Sequence, residues 1–318
     1  MPRKGALRSV RLVLAVLLGL LTDRAVAEPD GETRLLSALE AVESRQVSLC
    51  VATMTQSTLA GTIGGLADQL RAEIPALPDG HRAVEALNRL IFGQIGIRGS
   101  SDLKDPCNLL PSRVLERKQG YCVGIAAIYL ALAEHLDLPI HAVATPSHVF
   151  LRFDDGTTRI NIETLQQGAS IPDEQYIREQ KIPEESIRRR VFMRNLTTDE
   201  FLAQVHNNLG VVYSERKEFE EAAREYEQAL DLDSRLAASF YNWGNDLLRQ
   251  GMHRKAIRRF SKSLRLYSTD VWALNNRGLA YVKAGKKDKA RKDFLEALQL
   301  DPSFQQAKQN LAVLPSPH

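Results

Sequence analysis

Every 34 residues, the last third of this 318-residue chain returns to the same pattern. Leu209-Gly210, Trp243-Gly244 and Arg277-Gly278 recur at that interval, as do Ala222, Ala256 and Ala290. Tyr226, Phe260 and Phe294 follow the same rule, with Ala229, Ser263 and Ala297. A fixed period of this length means a stack of like units, each burying its apolar face only against the next. Small residues at the glycine and alanine positions let two helices of a unit approach closely, and the aromatics are expected to fill the gap to the neighbouring unit. The units fall at 203–236, 237–270 and 271–304, followed by a capping helix and tail over 305–318. Ahead of the first unit, Thr197 and Glu200 have the spacing of a capping box, which starts a helix.

Period and residue classes together resemble tetratricopeptide repeats, helix–turn–helix units that stack into an α-solenoid. Asn208, Asn242 and Asn276 recur at one position of each first helix. If they line the concave groove, their amides would donate to and accept from an extended peptide backbone. They are the candidate peptide-binding residues, and a protein or peptide is the expected partner; asparagine that is merely frequent in such repeats is the structural alternative. Charge is uneven along the array: the first repeat is net −4, the second and third together net +8. Much of that excess (Arg254, Arg258, Arg259, Lys262) falls on a second helix, the convex and solvated face of such stacks.

The other end of the chain reads as a leader. Arg3, Lys4, Arg8 and Arg11 precede an apolar run from Leu12 to Leu21, and Ala25-Val26-Ala27 follows. That is the layout of a secretory signal peptide over 1–27. The apolar run is short for a bilayer, which needs roughly 20 residues. Export is expected, to the periplasm or outside the cell, with no transmembrane segment in the mature chain. The leader carries net +4 of the chain's +3, so the mature protein is near −1. The sequence pI of 8.7 therefore gives no case for a nucleic-acid partner. With no phosphate loop, calcium loop or cofactor motif, neither cofactor nor metal is expected.

Three cysteines survive processing: Cys50, Cys107 and Cys122. An odd number outside the cytoplasm suggests one pair and one leftover thiol. A Cys50–Cys107 disulfide would leave Cys122 free; the rival pair, Cys107–Cys122, would lock it until reduced.

Residues 28–100 read as helical, and nothing in them looks catalytic. The chemistry lies further on. Cys122 opens an apolar run to Leu136, which predicts a helix buried among neighbours. In its first turn, unpaired N–H groups and the positive end of the dipole favour an anion. A lone cysteine there is more often structural, so a partner base decides the matter. His148 to Phe153 and Thr158 to Glu163 flank Asp154-Asp155-Gly156-Thr157, a hairpin signal. A turn centred on Asp155-Gly156 sets Val149 opposite Ile162 and Leu151 opposite Ile160, and sets His148 directly opposite Glu163. Arg152 then faces Arg159, an end expected to be solvated or bound to an acid.

Cys122 as nucleophile, His148 as base and Glu163 as its orienter form a set for acyl transfer. Asn161 is a second choice of orienter. Asn108 and Gln119 are candidate side-chain donors to an oxyanion, whereas His135 and His141 read as structural.

These residues carry a second resemblance. Gly120-Tyr121-Cys122 on a helix, Asp137-Leu138-Pro139-Ile140 after it, Ser147-His148 opening a strand and Glu163-Thr164 are similar to the transglutaminase-like core, a relative of papain-type proteases. Leu87-Asn88, Phe92, Gly96, Asp105-Pro106 and Val114-Leu115 resemble its bacterial branch, which often carries C-terminal tetratricopeptide repeats. The resemblance implies catalytic roles for Cys122, His148 and Glu163, with glutamate standing where the family usually has aspartate. Many members of that branch lack the cysteine; this chain keeps it.

The expected fold is an α+β transglutaminase-like core over 101–185, with a helical subdomain over 28–100, a linker over 186–202 and the three-repeat α-solenoid. Two functions follow. One is an exported cysteine-dependent acyl-transfer enzyme (peptidase, amidase or transglutaminase-like) acting on protein or peptide amides that the repeats recruit. The other is a catalytically idle core that, with its repeats, mediates protein–protein contacts in the cell envelope.

Overall fold

The computed structural model describes residues 34–46, 50, 58–74, 79–102 and 104–315. The expected leader lies outside the described residues. Among them, no helix is long and apolar enough to cross a membrane.

Among the described residues three helices come first: α1 (Arg34–Arg45), α2 (Leu59–Arg71) and α3 (Gly80–Asn88), the last running on as a wide π turn over Arg89–Ile95. Local chemistry starts them, since Thr58 Oγ1 accepts from the Gly61 N–H and Asp79 Oδ1 from the His81 N–H. After a short strand β1 (Arg98–Gly99) and a 3-10 turn (Pro106–Asn108) come α4 (Pro111–Arg117) and β2 (Gln119–Gly120). The central helix α5 spans Cys122–His135, and all twelve residues from Cys122 to Ala133 are buried. A helix apolar on every face needs cover on every face. It has it: α1, α2 and α4, the sheet, and the first repeat helix all pack against α5. One hydrophobic core therefore runs without a break from Leu35 to Tyr226. The N-terminal helices are one wall of that core, with no boundary at residue 100.

The main sheet has three antiparallel strands in the order β3 (Ile140–Ala144), β4 (Val149–Asp154), β5 (Arg159–Ile162). Its hairpin register differs by two residues from the sequence expectation: Leu151 faces Ile162, Arg152 faces Asn161 and Asp154 faces Arg159. The cause is the Asp155 side chain, whose Oδ1 accepts from the N–H groups of Thr157 and Thr158. That Asx turn moves the loop one position toward the C-terminus, to 155–158, with Gly156 supplying the positive φ of 86°. A slip of two keeps every side chain on its expected face. It also removes the Arg152–Arg159 clash. Arg159 pairs with Asp154 at 2.9 Å, and Arg152, only 2% exposed, binds Asn161 Oδ1 at 2.8 Å and Asp173 Oδ1 at 2.5 Å.

Beyond the sheet lie α6 (Asp173–Glu179) and α7 (Glu184–Arg188). The expected linker does not hang free. The Met193 N–H bonds to the Ala144 carbonyl, that of Leu196 to Ala142, and Asn195 pairs with Val143. It covers the β3 edge, which would otherwise present unpaired backbone groups.

The repeats follow as helix pairs: α8 (Thr198–Glu215) with α9 (Phe219–Leu232), α10 (Ala237–Arg249) with α11 (His253–Leu266), and α12 (Val271–Lys283) with α13 (Lys287–Leu300). A last helix, α14 (Gln305–Ala312), caps the stack. Thr197 and Glu200 close the capping box at the start of α8. The periodic aromatics work inside each unit rather than mainly between units. A Cβ on Gly210, Gly244 or Gly278 would meet the ring of Tyr226, Phe260 or Phe294 at 2.5, 2.7 or 2.4 Å. Glycine is therefore what lets each ring lie flat against its partner helix. Gly244→Ala is expected to cost about 1–3 kcal/mol by overpacking. Gly65→Ala, in α2 with nothing within 4 Å of its added carbon, is expected to gain about 0.5–1 kcal/mol. Urea unfolding of both variants checks the contrast.

Candidate functional site

Cys122 is the first residue of α5, where the backbone N–H has no carbonyl to bond within the helix. Its position is set by a close approach. The Asn108 carbonyl accepts the Tyr121 N–H at 2.8 Å, and a Cβ on Gly124 would stand 2.4 Å from that same oxygen. Gly124 thus allows the 3-10 turn carrying Asn108 to press against the start of α5. The turn is tethered in its own right, since Cys107 is disulfide-bonded to Cys50, with Cα atoms 5.6 Å apart. Cys122 is the free cysteine.

His148 arrives on a tight turn in front of β4, its carbonyl accepting from Thr145 N–H at 2.8 Å and Oγ1 at 3.0 Å. Glu163 follows β5 and caps the short 3-10 turn Thr164–Gln166, accepting from the Leu165 N–H at 3.0 Å. The shifted register no longer sets the two residues directly opposite, yet both Glu163 oxygens reach His148 Nε2, at 3.0 and 2.8 Å. That leaves Nδ1 as the nitrogen for the Cys122 sulfur. Burial alone would push the imidazole down; hydrogen bonds to Cys122 and Glu163, with their charges, overcome it and hold His148 at about 10. Glu163 is moved the other way. Burial would raise its carboxyl, but His148, the Leu165 N–H and Tyr176 bring it below the usual range.

Two site residues escaped the sequence reading. Tyr176, on α6, donates its hydroxyl to Glu163 Oε2 at 2.8 Å and stacks on Phe150 with ring centroids 4.2 Å apart. Only the apolar pair Tyr176-Ile177 within the charged stretch Asp173–Glu179 hinted at it. Tyr121, quoted above only as part of a motif, lines the cleft beside Cys122. Burial first, then the charge of the Cys122 sulfur and a hydrogen bond to it, push its phenol up to about 12, so it keeps its proton.

Other expected site residues have different work. Asn108 spends its amide N–H groups on Ser100 Oγ at 3.3 Å and the Asp102 carbonyl at 3.0 Å, away from the cleft. Gln119 is exposed on β2 and outside the cleft lining. Neither side chain is placed to bind an oxyanion. Asn161 serves Arg152, Asp173 and the Ile171 carbonyl rather than His148. Asn208 and Asn242 do line the cleft, but Asn276 does not. Their amides are largely occupied: Asn208 donates to its own helix at Gln204, Asn242 to Asn207 in the preceding repeat, and Asn276 to Asn245. Asn242 and Asn276 staple one unit to the next, and the carbonyl oxygens of Asn208 and Asn242 are left as acceptors.

The cleft itself is about 930 Å³. Cys122 and His148 line it together with Asn208, Asn242 and Trp272 of the repeats. Site and groove form one continuous space.

The superfamily model described as transglutaminase-like matches residues 58–208, and tetratricopeptide repeat models match 203–236 and 271–304. The chain carries a transglutaminase-like domain followed by tetratricopeptide repeats. The transglutaminase-like match starts at α2 and ends inside α8, so it takes in the N-terminal helices and the first repeat helix. Two UPF0162 proteins of Xylella fastidiosa are 25% and 26% identical over 246 and 245 residues, 74% of this chain and 74% of their own. Among solved structures, the Arabidopsis OM64 tetratricopeptide domain is 23% identical, covering 36% of this chain and 96% of that one, with a TM-score of 0.36.

The pair at the heart of the transglutaminase-like domain has a definite pH signature. His148, raised from 6.5 to about 10, contributes stability that is full below the ordinary value and lost as pH climbs through the raised one. Glu163, lowered from 4.5, contributes above its ordinary value and loses it as pH falls. Glu163→Gln is therefore expected to cost more stability near pH 6 than near pH 11, roughly the two sides of the raised imidazole. NMR titration of the His148 ring is expected to show its transition moving down from about 10 in that variant.

Proposed function

We propose that this protein is an exported, cysteine-dependent acyl-transfer enzyme acting on protein or peptide amides. The observation that carries the reading is that Cys122 and His148, the latter held by Glu163, line a cleft that also takes in the first helices of the repeats. An extended polypeptide lying along the repeats would bring one of its amides to the sulfur.

The chemistry follows from the charges. In this reading the reacting pair is Cys122 as thiolate and His148 as imidazolium, with Nε2 held by Glu163 and Nδ1 left for the sulfur. The sulfur attacks the carbonyl carbon, forming a C–S bond while the carbonyl electrons move onto oxygen. The Cys122 backbone N–H, at the helix start, stabilises that oxyanion, with the protonated Tyr121 phenol alongside. His148 gives its proton to the leaving amine as the C–N bond breaks, which leaves a thioester. An incoming water or amine then loses its proton to His148 and displaces the sulfur, regenerating thiolate and imidazolium. Glu163 keeps the ring oriented throughout, and Tyr176 keeps Glu163 oriented.

Export is supported by the leader layout of residues 1–27 and by the Cys50–Cys107 disulfide, a bond that persists in oxidising compartments. A second reading, an idle core that organises partners, draws on the burial of Cys122, which is 2% exposed. Alkylation of Cys122 by iodoacetamide separates the two. Under the enzymatic reading His148→Ala slows it about a hundredfold, the usual scale for losing a positioned base. A thiol equally slow in wild type and His148→Ala would leave the idle scaffold.

A further inference from the structure

Among the residues that line the cleft is a carboxylate with an unfilled oxygen. Asp270 stands in front of α12, and the N–H groups of Trp272 and Ala273 both bond to Oδ1, each at 3.0 Å. Among the described residues no donor bonds Oδ2, and no lysine, arginine or histidine pairs with Asp270. Burial raises its carboxyl, with only the two backbone bonds opposing. The two backbone bonds and the positive end of α12 hold the charge through Oδ1, while Oδ2 faces the cleft's occupant as a free acceptor.

Aromatic rings frame it. Tyr241, Tyr267 and Trp272 line the same cleft. Both tyrosine phenols are raised, first by burial and then by the Asp270 charge, which puts that carboxylate close to each. Trp272 is held edge-on by Phe304 at 4.8 Å, yet the residue is 49% exposed. An exposed indole beside two phenols and a carboxylate is a setting for a cation, which gains from the ring faces as well as the charge. The cleft's own cations are already engaged. Arg194 binds Glu200 at 2.5 Å and lies 3.7 Å from Asp233, Arg235 reaches Glu200 at 3.3 Å, and Lys181 acts on Asp301.

We propose that Asp270, framed by Tyr241, Tyr267 and Trp272, is a subsite for a lysine or arginine side chain of the polypeptide that occupies the cleft. The subsite deepens the functional reading above, because the same polypeptide would present an amide to Cys122. It makes the substrate class a peptide with a cationic residue held away from the attacked bond.

The test reads binding, not turnover. The chain has two tryptophans, so Trp243→Phe leaves Trp272 as the sole indole. In that full-length background, the blocked peptides acetyl-Ala-Arg-Ala-amide and acetyl-Ala-Lys-Ala-amide are titrated against Trp272 fluorescence. Acetyl-Ala-citrulline-Ala-amide serves as the uncharged match, and choline as a free cation. The arginine or lysine peptide is expected to give a saturable change, with citrulline weaker by about tenfold, the scale of one charge-assisted contact. Asp270→Asn keeps a helix cap and removes the charge. It is expected to weaken the cationic peptides by about the same factor, with the melting curve unchanged.

No saturable change with either cationic peptide would overturn the subsite, as would equal response to citrulline or indifference to Asp270→Asn. Choline binding more tightly than the peptides would overturn the assignment to a polypeptide side chain. Cys122 alkylation measured on the same sample keeps the two readings apart. A thiol whose alkylation is indifferent to His148→Ala, together with intact peptide binding, would sink catalysis and leave the subsite standing.

Discussion

The helix from Cys122 to His135 is apolar on all sides, and most of the molecule is arranged to cover it. No single layer can do that. The N-terminal helices take one side, the sheet another and the first repeat helix a third, so the repeats are built into the core rather than tethered to it. Rigidity at the start of this helix is the functional consequence. A sulfur atom there inherits a position fixed by packing on every flank, and the cleft that meets it is walled by both halves of the chain.

Around that start, each site residue is held by something other than its chemical partner. The Asn108 carbonyl and the disulfide at Cys107 fix the turn against Gly124. The Thr145 turn fixes His148, and the 3-10 turn after β5 fixes Glu163 with help from Tyr176. Arg152 ties the sheet to α6 and to the segment that covers the β3 edge, through Asp173 and the Met193 carbonyl. Since α6 carries Tyr176, this buried arginine supports the carboxylate that orients His148. Preorganisation of this kind keeps reacting groups in place without rearrangement.

Much of this was legible in the sequence, and the limits are instructive. The repeats could be read because a 34-residue period needs no knowledge of distant contacts. Cys122 and the hairpin could be read because helix starts and turns are local. The two-residue register shift could not, because it depends on one oxygen of Asp155 capturing two N–H groups in preference to a tighter turn. The hairpin alone sets Arg152 against Arg159 and calls for an acid there, but the acid it binds, Asp173, lies on a helix outside the hairpin. Tyr176 was hidden for the same reason. Asn108 has the right residue type for an oxyanion donor, but its amide is claimed by Ser100 and Asp102, neighbours that only the folded loop brings to it. The repeated asparagines were visible as a pattern, whereas their use in stapling one unit to the next required the stack itself.

The central claim is that Cys122 accepts an acyl group with His148 as its proton carrier. Mass spectrometry of the intact full-length protein mixed with 4-nitrophenyl acetate, followed by peptide mapping, tests it most directly. The account expects a single acetyl group on Cys122, absent in Cys122→Ala, with its appearance and release both slowed in His148→Ala. Acetyl groups scattered over lysines, in the same pattern with and without Cys122, would contradict it.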